Sequence, residues 1–326
     1  MAESKNNVET KTVVNDLIFK ELVKRGYSLE GNTRVWNIAD SKLWYLTSDQ
    51  AQAYLDVEKS DKYKKDMIDP EIELLEEAIP KIKNSIVFGN EVTIVDIGCG
   101  DGKKAIVPIQ ILKESHNKIK YCPVDISAYM VERAIEKISK ENSVDEIIDF
   151  QWNVSDFENM ENVTKLLRRG GKELFMMFLG STLGNFDPHD VLYALQNSME
   201  FGDSLLIGVA LSENIDPVEI ERAYASKYSD HFLGYVLTEL GFDREDIEFG
   251  ARYRHSRVES YFKINKEKII IFQDKEIRFN KGDQIIVAYS HKFDKKKLEG
   301  IVKLYFANYT FFINKEKTWA LILCKK

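Results

Sequence analysis

The stretch from Val92 to Lys104 places an apolar strand pattern directly before a turn with glycine at three alternate positions. Glycine suits such a turn because it reaches positive φ without strain and leaves no Cβ between the backbone and a bound ligand. A lysine-rich continuation then opens a predicted helix. A strand, a glycine turn and a helix in this order put a ribose-bearing ligand at the switch point of an α/β sheet. The segment therefore predicts a nucleotide-cradling loop.

The spacing of the glycines distinguishes between ligand classes. A dinucleotide fingerprint reads G-x-G-x-x-G, and counted from Gly98 its third glycine position is Lys103. The order Asp96-x-Gly98-x-Gly100-x-Gly102 instead resembles motif I of the class I methyltransferases that use S-adenosylmethionine. Because that ligand lacks a pyrophosphate, no glycine is required at position 103. The resemblance implies S-adenosyl-L-methionine as the cofactor.

Acidic residues follow the next two predicted strands. The strand predicted over 119–124 ends in Asp125, and a carboxylate there can accept from both ribose hydroxyls. A third strand, predicted over 147–152, is followed by Asp156 and Phe157, a pair that in this superfamily faces the adenine edge. The residues alone leave a structural alternative open: a G-x-G run can be a plain tight turn, and Asp125 can cap the following helix.

Strand and helix patterns alternate from about 92 to 211, which is typical of a parallel, doubly wound sheet. The last two apolar runs, at about 304–312 and 318–323, can close that sheet as a hairpin, the usual ending of a class I methyltransferase. The predicted fold class is therefore α/β, with a doubly wound, Rossmann-like class I methyltransferase sheet.

The flanking segments follow a different pattern. Residues 1–70 are mostly helical in pattern and rich in aromatics, 213–240 is helical again, and 247–291 alternates in short runs that indicate an antiparallel meander. These segments predict a second, α+β domain that binds substrate or acts as a lid, with a ligand between the two domains. The predicted boundaries are 71–212 with 292–326 for the cofactor domain, and 1–70 with 213–291 for the second domain.

Composition argues against several classes of protein. The net charge of −7 and the pI near 5.5 weigh against a nucleic acid as the main partner. Three scattered cysteines give neither a disulfide framework nor a zinc cluster, so we expect a reducing compartment and no metal. The amino terminus lacks an apolar signal-like run, and the apolar runs are too short for a membrane span. We expect a cytoplasmic protein without a membrane partner, and its oligomeric state stays open.

The segment 178–187, Phe-Leu-Gly-Ser-Thr-Leu-Gly-Asn-Phe-Asp, follows the fourth predicted strand. Its glycines, Gly180 among them, let the backbone approach a small polar substrate closely. The Asn185 amide offers both a donor and an acceptor, which suits a carboxylate or an amine. From the residues alone, Asn185 can equally hold a turn and cap the helix that begins near Pro188.

Four segments carry a more specific signal: 178–186, Glu221-Arg-Ala-Tyr224, Arg257-Val-Glu-Ser260 and Tyr289-Ser-His-Lys-Phe293. In order and spacing they resemble the histidine-specific N-alpha-methyltransferases of ergothioneine biosynthesis and their relatives. That group also includes fungal N-methyltransferases acting on prenylated tryptophan. The resemblance covers most of the chain from about residue 40 onward, and 178–186 is its most distinctive element.

This resemblance implies a role for each matching position. Asn185 and Tyr224 would hold the substrate carboxylate, and together with Tyr45 they form the expected catalytic group. Tyr45 and Tyr63 would line the amino-acid pocket from the amino-terminal arm. The positions implied to contact S-adenosylmethionine are Gly98, Gly100, Lys104, Asp125, Asp156 and Phe157, and the further substrate positions are Gly180, Ser260, Ala288 and Ser290.

Two positions depart from the histidine enzymes. Where those enzymes carry a glutamate that bonds the imidazole, this chain has Ala288, and where they carry a methionine beside it, this chain has Ser260. A buried site built around a hydrogen bond discriminates strongly, and loss of the carboxylate forfeits that discrimination. Smaller side chains also enlarge the pocket, so we expect a bulkier, aromatic acceptor and not plain histidine.

These observations predict an S-adenosylmethionine-dependent N-methyltransferase that acts on the amino group of a small amino acid or derivative. Such an enzyme needs mainly to hold nitrogen, methyl and sulfur in line, and the sequence shows no strong general base. Three alternatives stay open. They are a histidine N-alpha-methyltransferase (hercynine formation), a protein or nucleic-acid methyltransferase, and a non-catalytic binding module. The second is kept because Asn185-Phe-Asp-Pro188 distantly resembles the signature of enzymes that methylate nucleic-acid bases.

Overall fold

The computed structural model describes residues 15–86, 90–114, 118–168, 173–213 and 216–326, so residues 1–14 of the predicted arm lie outside the described residues. The strands are β1 Tyr27–Glu30, β2 Thr33–Asn37, β3 Glu91–Ile97, β4 Lys118–Val124, β5 Glu146–Ile147, β6 Leu174–Phe178, β7 Ser204–Ala210, β8 Ile247–Arg254, β9 Arg257–Ile264, β10 Lys268–Phe272, β11 Lys275–Phe279, β12 Gln284–His291, β13 Asn308–Ile313 and β14 Trp319–Lys325. The helices are α1 Asp16–Arg25, α2 Ser48–Glu58, α3 Asp61–Tyr63, α4 Asp69–Ile86, α5 Ile106–Glu114, α6 Ala128–Glu141, α7 Met160–Leu167, α8 Pro188–Ser198, α9 Pro217–Tyr224, α10 Lys227–Thr238 and α11 Lys295–Tyr305. Within the described residues, none of these helices has the length and apolar character needed to cross a membrane.

Seven strands of the described residues form one sheet in the order β13-β14-β7-β6-β3-β4-β5. Neighbouring strands from β7 to β5 are parallel, while β14 is antiparallel to both β7 and β13. This sheet confirms the predicted fold class, including the carboxyl-terminal hairpin. The strand order reverses between β3 and β6, so the loops that follow these strands diverge and leave a crevice at the carboxyl edge.

Helices cover both faces of this sheet. Because alternate residues of a strand point to opposite faces, Val95 of β3 packs with α7, α8 and α11, while its neighbour Ile94 packs with α4 and α5. Both side chains are fully buried. The loops at the carboxyl edge therefore stand on a rigid three-layer base.

The third predicted strand is shorter than expected. Ladder pairing is limited to the two residues of β5, after which the chain leaves the sheet. The buried Asn153 amide donates to the carbonyl oxygens of Pro123 at 2.6 Å and Ile148 at 2.8 Å, so a side chain takes the place of ladder hydrogen bonds. The Ser155 N–H still donates to Asp125 O at 2.9 Å, which keeps this loop at the carboxyl edge.

A second sheet of the described residues has the order β1-β2-β12-β9-β8, and β10 pairs with β11 as a separate hairpin. Two expectations are corrected here. Residues 27–37, from the arm expected to be mostly helical, supply two strands, and 247–291 is not a plain meander because β12 pairs directly with β9 while β10 and β11 form a separate hairpin. Residues 285–288 of β12 are buried, so both edges of that strand need hydrogen-bond partners. The arm and the insertion share one core, and their assignment as a substrate-binding domain stays a prediction.

Candidate functional site

The glycine turn follows β3 at the carboxyl edge of the main sheet. Gly98, Gly100 and Gly102 have φ of +67°, +53° and +76°, a region that residues with a Cβ rarely adopt. The N–H groups of Gly98 and Cys99 donate to Val124 O at 2.7 and 3.1 Å, which ties the turn to the end of β4. A Cβ on Gly100 would meet no atom within 4 Å, so the turn borders open space in which a ligand fits.

Two carboxyl groups support this turn. Asp125 accepts from the N–H of Gly100 at 3.1 Å and from the N–H of Ser127 at 3.0 Å, so it touches the turn and also the start of α6. Burial raises the pKa of Asp125 against the opposing effect of these donors. A carboxylate has about four acceptor positions, so Asp125 can still accept from ribose hydroxyls. Asp96, the second carboxyl group, is buried beneath the glycine turn. Tyr121 Oη donates to it at 2.8 Å, and burial raises the pKa of Asp96 to about 7.

Asp156 and Phe157 lie after β5 at the same edge. Asp156 accepts from the N–H of Glu158 at 2.7 Å, and its other oxygen lies 2.9 Å from Lys42 Nζ. Phe157 packs edge-to-face on Phe186, with ring centroids 4.7 Å apart. Because Lys42 belongs to the amino-terminal arm, the arm contacts the loop that is expected to face the adenine.

Lys104 pairs with Glu71, a residue outside the predicted site. Lys104 Nζ lies 2.7 Å from Glu71 Oε2, and the Glu71 side chain is fully buried. Glu71 also accepts from the Gly180 N–H at 2.8 Å, so it connects the chain after the glycine turn to the loop after β6. Burial alone would lower the pKa of Lys104, but the Glu71 carboxylate outweighs burial and the pKa is raised. The sequence signal for Glu71 is an acid on the apolar face of α4, shared with Leu75.

The loop after β6 carries Gly180 and Asn185. Gly180 has φ of +79°, and a 3-10 turn, Thr182–Asn185, follows. Helix α8 is capped by Asp187, whose side chain accepts from a first-turn N–H at 2.8 Å, so the alternative of Asn185 as that cap is wrong. In the part of the chain that the structure describes, the Asn185 amide has no hydrogen-bond partner. It is therefore available to a ligand.

Tyr224, Ser290 and Lys292 form a hydrogen-bonded group at the end of β12. Tyr224 Oη and Ser290 Oγ are 2.8 Å apart, and Lys292 Nζ lies 2.5 Å from the first and 2.8 Å from the second. Burial would raise the pKa of Tyr224, but Lys292 and Ser290 outweigh burial and the net pKa is lowered. Lys292 lies in the motif 289–293, yet the sequence analysis assigned it no role because its contact with Tyr224 depends on the fold.

Ser260 and Ala288 face each other across the β9–β12 pair. Both are buried, at 4% and 6% exposure. The rings of Tyr45, Tyr54 and Phe232 belong to the same apolar cluster as Ala288 and have centroids 5.5–5.7 Å apart. The result is a wall of two small side chains beside an aromatic cluster.

The arm also supplies polar groups. Tyr63 Oη lies 3.3 Å from Tyr54 Oη, and burial raises the pKa of Tyr63 to about 12, so its phenol stays neutral. Glu58, at the end of α2, lies 2.6 Å from Lys103 of the glycine turn. Tyr54 and Glu58 were missed by sequence reasoning, although their spacing of four residues places them on one face of a helix.

Every predicted site residue borders one cavity of about 600 Å³, a size typical of small-molecule sites. The open space beside Gly100 and the free acceptor positions of Asp125 fit a ribose-bearing ligand such as S-adenosylmethionine. The loops after β3, β4 and β5 contribute Gly98, Gly100, Lys104, Asp125, Asp156 and Phe157. The arm, the loop after β6, α9 and the second sheet contribute Tyr45, Tyr63, Gly180, Asn185, Tyr224, Ser260, Ala288 and Ser290.

Several known proteins to which this chain is similar are named methyltransferases. A histidine N-alpha-methyltransferase from Mycobacterium tuberculosis (strain CDC 1551 / Oshkosh) is 29% identical over 216 residues, which cover 62% of this chain and 64% of that protein. The N-methyltransferase fsqC from Aspergillus fumigatus is 24% identical over 242 residues, which cover 71% of this chain and 64% of that protein. The matched part thus spans slightly less than two thirds of the length of these curated relatives. A solved S-adenosylmethionine-dependent methyltransferase from Clostridium acetobutylicum ATCC 824 has 12% identity and a TM-score of 0.45, and the match covers 84% of this chain and 98% of that chain.

A family model described as histidine-specific, SAM-dependent methyltransferase matches residues 63–326, most of the chain. The match confirms the resemblance drawn from the four sequence segments and, at the level of the family, the predicted enzyme class and cofactor. The chain belongs to the histidine-specific, S-adenosylmethionine-dependent methyltransferase family.

Proposed function

We propose that this protein is an S-adenosylmethionine-dependent N-methyltransferase that acts on the amino group of an aromatic amino acid or a close derivative, and not on plain histidine. Relatives named histidine N-alpha-methyltransferase and N-methyltransferase support a small, amino-acid-like acceptor. The net charge of −7 weighs against a nucleic-acid acceptor. We assign 71–212 with 292–326 to cofactor binding and 1–70 with 213–291 to acceptor binding, because most of the aromatic cavity wall comes from the latter segments.

The observation that carries the choice of acceptor is the Ser260–Ala288 pair in the cavity wall. A site that selects imidazole needs a side chain that bonds the ring nitrogen, and alanine cannot supply one. Two small side chains also leave room beside Tyr45 and Phe232, and aromatic rings pack favourably against such a cluster. This wall favours a ring larger and less basic than imidazole.

The remaining roles follow from position in the cavity. Asn185 and Tyr224 hold the acceptor carboxylate, and Tyr45 and Tyr63 border the acceptor side chain. These groups orient the amine for in-line attack, and orientation of this kind can supply several kcal/mol. When bound, S-adenosylmethionine supplies the methyl group. The residues that hold it are Gly98, Gly100, Lys104, Asp125, Asp156 and Phe157.

A specificity switch tests the proposal. The purified chain is assayed for S-adenosylhomocysteine formation with L-histidine, L-phenylalanine, L-tyrosine and L-tryptophan. We expect an aromatic amino acid to exceed histidine in kcat/KM, and the double variant Ala288→Glu with Ser260→Met to raise the relative turnover of histidine. A regained hydrogen bond to a charged group is worth about 1.5–3 kcal/mol, so the expected change is about ten- to a hundredfold.

The matched control is Ala288→Leu with Ser260→Met, which fills a similar volume without a carboxylate and should give histidine no advantage. Efficient methylation of histidine by the parent protein would refute the choice of acceptor and favour a histidine N-alpha-methyltransferase. Binding of S-adenosylhomocysteine without turnover of any of the four amino acids would refute amino-acid methylation.

A further inference from the structure

Lys292 lies behind two hydroxyl groups that line the cavity. Its Nζ is 2.5 Å from Tyr224 Oη, 2.8 Å from Ser290 Oγ and 4.7 Å from the centroid of the Tyr224 ring. Tyr224 and Ser290 border the cavity, and among its described lining residues Lys292 does not appear. A contact between Lys292 and a ligand is therefore expected to pass through these two side chains.

Among the described residues, Lys292 has no acidic partner at ion-pair distance. Its side chain is partly buried, and no described carboxylate lies within 4.0 Å of its Nζ. Its two close partners are neutral hydroxyls, whereas Lys42, Lys103 and Lys104 around the same cavity each pair with an acid. An ammonium taken partly out of water is stabilised by an anion, so an anionic ligand group at Tyr224 and Ser290 would supply the missing charge.

The hydrogen atoms of this group can be counted. Lys292 has donors only, so it donates to both oxygens. The contact of 2.8 Å between Tyr224 Oη and Ser290 Oγ uses one of the two hydroxyl hydrogens, whichever oxygen donates. One hydroxyl hydrogen is left over, and the cavity is the side from which a ligand can accept it. The group thus offers the cavity one hydrogen-bond donor next to the positive charge of Lys292, which suits a carboxylate oxygen.

We propose that Lys292 is a positioning residue that orients Tyr224 and Ser290 as donors and makes the site select acceptors with a free, ionised carboxylate over their amides and decarboxylated amines. This inference rests on the proposed function, because it refines how the acceptor is chosen. It assigns Lys292 no contact with the reacting atoms, so the effect of losing it falls on acceptor binding and selection.

The test compares Lys292→Met, Lys292→Arg and the parent, each as the full chain with saturating S-adenosylmethionine. The acceptors are L-tryptophan, L-tryptophanamide and tryptamine, which differ at the carboxylate alone. We expect the parent to favour L-tryptophan over the amide by about tenfold or more in kcat/KM. Lys292→Met should reduce this ratio to about threefold or less, mainly through a higher KM for L-tryptophan, and Lys292→Arg should keep most of it.

Controls separate selection from folding. Lys296→Met removes an exposed lysine from the nearby α11 and should change neither ratio nor KM. Calorimetric affinity for S-adenosylhomocysteine should be equal in all variants. If Lys292→Met does not fold, Lys292→Gln keeps a donor without the charge and gives the same comparison.

Two results overturn the inference while leaving the proposed function standing. One is a kcat/KM in Lys292→Met that stays at the parent value for all three acceptors, and the other is a kcat/KM that falls by the same factor for all three, since either leaves the acid-to-amide ratio unchanged. A parent protein that binds S-adenosylhomocysteine but methylates neither these acceptors nor the other aromatic amino acids refutes the proposed function, and the inference with it.

Discussion

Single side chains in the cavity wall or directly behind it contact two partners at once. Asp125 accepts from backbone N–H groups of the glycine turn and of α6 while it borders the cavity. Glu71 likewise pairs with Lys104 and accepts from Gly180. Substitution of such a residue disturbs the loops and the ligand together, so a conservative variant is needed to separate the two effects.

Asp125 gives a prediction at this scale. Asp125→Ala should weaken S-adenosylhomocysteine binding by about 1.5–3 kcal/mol, the range for hydrogen bonds to a charged group, which is about ten- to a hundredfold in Kd. Asp125→Asn keeps an acceptor oxygen and should lose less. Calorimetry measures the Kd of both variants. The control is Asp149→Ala, which removes an exposed acid shortly after β5. An unchanged Kd for Asp125→Ala would remove this residue from the cofactor site.

At the scale of elements, the β8–β9 hairpin is organised around a buried acid. Glu259 of β9 is fully buried, and Arg252, Arg254 and Arg257 approach it to 2.8, 2.7 and 2.9 Å. Burial would raise the pKa of Glu259, but the three guanidinium groups outweigh burial and the pKa is lowered. Neighbouring residues of a strand point to opposite faces, so this cluster supports the strand that presents Ser260 to the cavity.

Glu259→Gln should lower the free energy of unfolding at neutral pH by about 3 kcal/mol, because it removes the buried negative charge on which three partly buried arginine side chains converge. A lowered folded-state pKa contributes stability above the ordinary value of 4.5 and loses it as the pH falls through the lowered value. The gap between parent and variant should therefore be full at pH 7 and shrink below pH 4.5. Urea unfolding at several pH values measures it.

The control for this prediction is Glu248→Gln, an exposed acid on the neighbouring strand β8, which should have little effect at any pH. A gap of the same size at pH 7 and well below pH 4.5 would show that Glu259 stabilises the hairpin by packing and not through its charge.

At the scale of the whole molecule, the arm spans the crevice of the main sheet. Polar contacts join it to the loops after β3 and β5 and to α6, the helix that follows β4. They are Lys42 to Asp156 at 2.9 Å, Glu58 to Lys103 at 2.6 Å, and Tyr129 Oη to Gln52 at 2.6 Å. A cofactor in the crevice would lie beneath these contacts, so we expect its release to require their opening.

Lys42→Met should therefore speed the release of S-adenosylhomocysteine. Lys42 also pairs with Glu158 at 3.2 Å, and partly exposed ion pairs are worth about 0.2–1 kcal/mol each, so loss of both pairs should increase the rate by about two- to thirtyfold. Stopped-flow fluorescence measures the rate. Lys20→Met, which breaks a surface pair with Asp16 outside the cavity, is the control. Equal release rates in parent and Lys42→Met would show that the arm does not limit release.

Local pattern was enough to predict the main sheet and the turn at its edge. The positive φ of Gly98, Gly100 and Gly102 and the alternation of strands and helices depend on neighbours within a few residues, so they can be read from short windows. The cofactor positions of the candidate site could also be brought together by prediction, because they follow strands whose carboxyl ends share one edge. The acceptor positions in the arm, α9 and the second sheet were implied only by the resemblance to a known family. The two strands within 27–37 were not predictable, since their short, exposed or half-buried pattern has no clear period.

The features that could not be predicted depend on strand register and on contacts between residues far apart in the sequence. β2 lies beside β12, with Val35 opposite Gln284, and no short window of sequence specifies that neighbour. The Ser260–Ala288 wall depends on register, because a slip of one residue would turn each side chain to the other face. The contact of Lys292 with Tyr224 joins residues 68 positions apart. Such contacts arise only when packing brings distant elements together, which is why the tertiary structure was needed to find them.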